Sequence, residues 1–227
     1  MIPRVKMLER VLDRLLTTPE EAMALTKLSG SPTPAGKLSA SHGSRKHDEA
    51  AAPPPIVYLL LDVSESMDAE KLRQAKRGAL SFAKDAIAKR YEVGVIQFTS
   101  WARVKTEPTR KLSAIRAGLS EVGLQAGTNI AFAIELATGA LAKTRGLRAM
   151  VLVTDGYPDD TTSALAAAKD AKQLHDITII AIGTEDSDRD FLKKIATASE
   201  LATTVPDEKL EVAIAKAAGL LPAKTSG

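Results

Sequence analysis

Cysteine is absent from the 227 residues, which excludes disulfides, thiolate metal sites and cysteine nucleophiles. Aromatic side chains make up only 4% of the chain, with a single Trp; the aromatic-poor, alanine-rich composition has a bacterial character. Neither sign of charge dominates: 31 basic and 28 acidic side chains leave a net charge of +3, too balanced to argue for nucleic acid or an anionic membrane. No apolar run approaches the ~20 residues of a membrane span. Charges interrupt every turn of "MIPRVKMLERVLDRLL" at the N-terminus, so the unbroken apolar region of a secretory signal is missing and a cytoplasmic location is expected. Histidine is scarce too. His42 and His47 lie five residues apart in a polar tract, a poor metal site, and His175 reads as a surface or helix-end residue.

What is present supports one sizeable core, with 44% hydrophobic residues. Residues 1–28 read as an N-terminal helical segment. Val5, Leu8, Leu12 and Leu15 recur at helical spacing, and "TPEE" starts a second helix with Thr18 as N-cap and Glu21 closing a capping box. Two readings stand for it: short helices packed on the main domain, or a docking element for a partner or a second copy. Residues 29–55, "SGSPTPAGKLSASHGSRKHDEAAAPPP", lack apolar anchors and read as a flexible linker. Residues 56–221 are expected to form the main domain, and 222–227 a disordered tail.

In the main domain, strands and helices alternate. "IVYLLLD" is a continuous apolar run, as in a strand covered on both faces. A helix follows with Leu72, Ala75, Ala79, Phe82, Ala83 and Ile87 on one face. "YEVGVIQFTS" and "WARVKTEP" read as a strand and a short edge partner containing Trp101. Helices are expected near residues 111–121 and 129–143, then a buried strand "RAMVLVTDG", a helix, the strand "ITIIAIG", a helix, a weak strand "LATTVP" and a final helix over 208–220. This order predicts an α/β, doubly wound, Rossmann-like fold. Its central sheet is mainly parallel with one short antiparallel edge strand, and helices cover both faces. Ligands of such sheets gather beyond the carboxyl ends of the strands, where strand order reverses.

Oxygen-bearing side chains collect at those ends. Asp62, Ser64 and Ser66 alternate along the turn after the first strand; Thr128 opens a helix in "GTN"; Asp155 ends a strand in "TDG". Two carboxylates and three hydroxyls suit a hard cation, Mg²⁺ first, with Mn²⁺ or Ca²⁺ as alternatives. The bland reading is that these residues cap loops by side-chain to backbone bonds. Asp159 and Asp160 are expected to cap the next helix or to form an acidic rim, and Lys193–Lys194 a solvated helix face.

On these residues the chain resembles the von Willebrand factor type A domain, also called the integrin I-type domain. Its metal-ion-dependent adhesion site has the pattern D-x-S-x-S, then a distant Thr, then a distant Asp. "DVSES", "AGTNI" and "LVTDGYP" supply all three in order. The resemblance implies an open metal position completed by an Asp or Glu of a protein partner. Asp62 and Asp155 would act through bound water, with Ser64, Ser66 and Thr128 nearer the ion. A rim of Glu65, Gly127, Asn129, Tyr157, Asp159 and Asp160 would meet the partner. Two positions depart from the common pattern. Glu65 stands where many relatives have Gly; it is expected to face solvent, and turned inward it would repel an acidic ligand or occupy the site itself. Ala126 replaces another Gly.

The resemblance thus implies a non-enzymatic adaptor. Its partner could be a MoxR-type AAA+ ATPase or a multiprotein complex, and the N-terminal helices could mediate self-association. One alternative is a haloacid-dehalogenase-like, Mg²⁺-dependent phosphatase with Asp62 as nucleophile and Asp159–Asp160 as ligands. Ser64 then stands where that chemistry wants its acid/base aspartate. A second alternative is a structural scaffold with metal-independent contacts.

Overall fold

The computed structural model describes residues 53–223. The expected N-terminal helices, the linker before Pro53 and the end of the tail lie outside them. Six strands form one sheet in the order β3-β2-β1-β4-β5-β6. These are β1 (Ile56–Asp62), β2 (Glu92–Phe98), β3 (Ala102–Thr109), β4 (Arg148–Thr154), β5 (Thr178–Thr184) and β6 (Ala202–Val205). All neighbours pair in parallel except β2 and β3. The expected architecture is therefore the observed one. The antiparallel edge strand runs eight residues and carries Pro108, a residue tolerated at a sheet edge because it has no N–H to donate.

Every residue of β1 is buried because both faces of the sheet are covered. On one face Tyr58, Leu60, Ile96, Phe98, Met150 and Leu152 pack with Ile130, Ile134, Ala164 and Phe191. These come from α3 (Ile130–Leu141), α4 (Thr161–Gln173) and α5 (Arg189–Ile195). On the other face the alternate residues Val57, Leu59, Leu61, Val93, Val95, Val151 and Val153 pack with Phe82, Ile115, Leu210 and Ile214. Those belong to α1 (Ala69–Ala88), α2 (Leu112–Ser120) and α6 (Leu210–Lys216). The period-two alternation of a strand thus feeds two separate cores, and β1 reads as an unbroken apolar run.

The helices start and stop for local reasons. Asp68 accepts from the Glu70 and Lys71 amides and caps α1. Asn129 accepts from the Phe132 amide and caps α3. The last helix is shorter than the periodicity predicts. Only Leu210–Lys216 is α-helical, flanked by 3₁₀ turns at Asp207–Lys209 and Ala217–Leu220. Pro222 forces Leu221 into an extended conformation, with ψ 137.

Chain order reverses between β1 and β4. The chain leaves β1 toward β2 on one side, then returns past it to β4 on the other. A ligand site is expected beyond that pair. Packing beside it is tight. Gly94 of β2 lies opposite Tyr58 of β1, and a Cβ there would run into the Tyr58 ring. The Tyr58 hydroxyl donates to Glu107 Oε2 of β3 at 3.2 Å. Gly94→Ala is expected to destabilise the domain by about 1–3 kcal/mol, the usual cost of overpacking, read as a lower urea midpoint.

Candidate metal centre

The turn after β1 places Asp62, Ser64 and Ser66 at the carboxyl end of the sheet. Asp62 is the last residue of its strand and fully buried. Its Oδ1 accepts the Ser64 amide at 2.9 Å, and its Oδ2 accepts the Thr154 hydroxyl at 2.6 Å. The second bond crosses from β4 to β1 and draws the two strand ends together. Residues 65–67 then form a 3₁₀ turn. Ser66 Oγ donates to Asp155 Oδ1 at 2.8 Å and lies 3.0 Å from Ser64 Oγ. Ser66 has a single hydroxyl proton and gives it to Asp155, so Ser64 is the donor in the Ser64–Ser66 bond. The chain Ser64→Ser66→Asp155 leaves lone pairs on both hydroxyls.

Thr128 is positioned from two sides. Its amide donates to Asp159 Oδ2 at 3.0 Å, and the Asp159 amide donates back to the Thr128 carbonyl at 3.1 Å. The Asn129 amide donates to the Thr99 carbonyl at 2.7 Å. Gly127 sits at φ +90, where a Cβ would also strike Ser100; only glycine holds this bend without strain. The loop that carries Thr128, just before α3, is thereby tied to the loops after β2 and β4. Of the expected rim, Glu65, Tyr157, Asp159 and Asp160 are exposed, and Gly127 and Asn129 are half-buried. Asn129 and Asp160 act as helix caps, Asp160 through the Ser163 amide. Asp159 does not cap a helix; it clasps the Thr128 loop instead.

Sequence reasoning missed Lys71. Its Nζ donates to Asp155 Oδ2 at 2.9 Å and to the Ser66 carbonyl at 3.3 Å. Asp155 is 84 residues away in sequence, and no local pattern announces such a pair. Thr154 was also missed, although it directly precedes Asp155. Burial pulls the Lys71 pKa down, but the hydrogen bond and charge of Asp155, with the charges of Asp207 and Asp186, outweigh it and leave it raised. Among the described residues Asp62 has no cationic partner. Burial lifts its carboxyl from 3.8 to about 6, against the hydrogen bonds from Thr154 and Ser64 and with help from the charge of Asp155.

This chemistry suits a small, hard cation. Every donor is oxygen, and among the described residues no cation compensates the buried Asp62 carboxylate. Among the described residues no cluster of three His, Cys, Asp or Glu side chains could hold a metal. A metal site on this face must therefore draw on hydroxyls.

In EDTA the sign of the pH effect follows from the raised value. Protonated Asp62 favours the fold, so its contribution is full below pH 3.8 and is lost as pH rises through about 6. The gap corresponds to about 3 kcal/mol. The urea midpoint of the wild type is expected to fall between pH 4 and 7 relative to Asp62→Asn. Parallel curves for the two proteins would contradict this.

The von Willebrand factor type A domain model matches residues 57–216. No curated protein matches the chain by sequence. Among solved structures, the pilus adhesin SpaC of Lactobacillus rhamnosus GG superposes with a TM-score of 0.66 at 16% identity, covering 74% of this chain and 30% of the adhesin. Proximal thread matrix protein 1 of the mussel byssus, with a zinc-occupied MIDAS motif, superposes with a TM-score of 0.63 at 19% identity, covering 74% and 48%. The conserved hypothetical protein BatB of Bacteroides thetaiotaomicron gives 0.60 at 22%, covering 73% and 98%. The chain thus spans less than half of the adhesin and of the byssus protein. The family match covers most of the chain, and its fold is shared with all three structures: the chain belongs to the von Willebrand factor type A domain family.

Proposed function

We propose that this domain is a protein-interaction module that takes an Asp or Glu carboxylate of a partner through a divalent cation held by Asp62, Ser64, Ser66, Thr128 and Asp155. The observation that carries the reading is the buried, uncompensated Asp62 beside the hydroxyl chain Ser64→Ser66→Asp155. Mg²⁺ is the preferred ion because three of the five donors are neutral hydroxyls and Mg²⁺ retains waters readily. When bound, it supplies an electrophilic position for an anionic oxygen. The byssus protein with zinc at its MIDAS motif supports a divalent ion at such a site.

Binding rather than turnover is supported by Asp62 itself. A nucleophile must reach its substrate, and Asp62 is fully buried with both oxygens engaged. The loops at this end of the sheet and the first turn of α3 also expose apolar side chains: Leu124, Phe132 and Tyr157 are 39%, 47% and 65% exposed. Aromatic residues beside a polar anchor are common binding hot spots. A MoxR-type AAA+ ATPase and a second copy of the chain are the partner classes to test first. Among the described residues no helix is long and apolar enough to cross a membrane.

Affinity capture from native lysate tests this reading, using wild type and Asp62→Ala with Mg²⁺ or EDTA. A partner retained only by wild type with Mg²⁺ is the expected result. Retention in all four arms would replace it with a metal-independent scaffold. For a partner so identified, Tyr157→Ala is expected to weaken binding about 5- to 30-fold while leaving Mn²⁺ affinity, measured by calorimetry, unchanged.

A further inference from the structure

The metal reading leaves the Lys71 ammonium unexplained, although its side chain is only 10% exposed and touches Asp155 directly. We propose that Lys71 is a positioning residue of the metal centre. It holds the Asp155 carboxylate against Ser66 and cancels its charge, so that a bound divalent cation keeps a net positive charge and takes an anionic oxygen from outside. This inference rests on the reading above and adds to it the source of the preference for a carboxylate.

Counting charges shows why the lysine matters. Asp62 and Asp155 alone would balance a divalent ion and leave a neutral centre with little pull on an anion. Lys71 restores one positive charge, provided it is not already neutralised elsewhere. Two other carboxylates approach it: Asp186 at 3.6 Å and Asp207 at 3.5 Å, with side chains 76% and 45% exposed. Asp155 lies at 2.9 Å and its side chain is fully buried. Water screens the two outer pairs, whereas the inner pair is short, charge-assisted and shielded. The lysine therefore belongs first to Asp155, and Asp186 and Asp207 steer its long side chain. Its backbone is fixed as well, because the Lys71 amide is bonded to the Asp68 cap at 2.8 Å. The carbonyl of Ser66, 3.3 Å from Nζ, ties the ammonium to the serine turn itself.

The arrangement leads to opposite effects on two affinities. Removing the ammonium frees Asp155 and removes a repelling charge, so the cation binds more tightly. The same change leaves the bound cation less electrophilic, so the external anion binds more weakly. A lysine that only supported the fold would weaken both on removal.

The probes are Mn²⁺ alone, followed by acetate titrated onto the Mn²⁺-loaded protein and read by water-proton relaxation. Lys71→Met is expected to bind Mn²⁺ roughly 3- to 30-fold more tightly and acetate about fivefold more weakly. Lys71→Arg should resemble wild type in both. Mn²⁺ affinity equal to or below wild type in Lys71→Met, or unchanged acetate affinity, overturns the proposal. If circular dichroism in EDTA shows that Lys71→Met does not fold, Lys71→Gln, which keeps a donor without the charge, is judged by the same two criteria. Wild type that fails to bind Mn²⁺ at all would instead overturn the metal reading itself.

Discussion

Burial of β1 on both faces is the constraint on which the rest depends. A central strand between two helix layers can carry no charge until it leaves the sheet, because an unpaired buried ion is too costly. The first carboxylate therefore falls at the last position, Asp62, where the Ser64 amide and the Thr154 hydroxyl can receive it. The same limit acts on β4, whose buried residues run to Thr154 and deliver Asp155 just beyond. Because the two strands are neighbours at the point where chain order reverses, their two acids meet. The polar centre is a consequence of how the apolar layers close.

Within that centre the acids are handled differently. Asp155 receives a serine hydroxyl and a lysine; Asp62 receives a threonine hydroxyl and an amide but, among the described residues, no cation. Compensated and uncompensated carboxylates side by side give the face an uneven field, with the deficit at Asp62. In the proposed function, that asymmetry, rather than the number of acids, is what would draw a divalent ion there.

Much of this was legible in the sequence because it is local. The unbroken apolar run of β1, the alternation of strand and helix, and the D-x-S-x-S turn each occupy a few consecutive residues. Thr128 and Asp155 could be placed because each adjoins an element end. What the sequence hid is long-range. The Lys71–Asp155 pair spans 84 residues, and Lys71 sits in an ordinary-looking first turn of a helix. Asp159 looked like a helix cap because it stands one residue before a true cap, Asp160; only the folded chain shows that it turns back to Thr128. The end of the last helix was misjudged because apolar periodicity continues through residues that adopt a 3₁₀ turn.

The two-way bond between Asp159 and Thr128 has a consequence for kinetics. Together with the Asn129–Thr99 bond, it immobilises the threonine loop while the protein folds. The ordering entropy of that loop is then charged to folding, and a molecule arriving at this face meets a surface already in shape. Association there should be limited by encounter and by the stripping of water, not by loop rearrangement, and differences among ligands should appear in how long they stay.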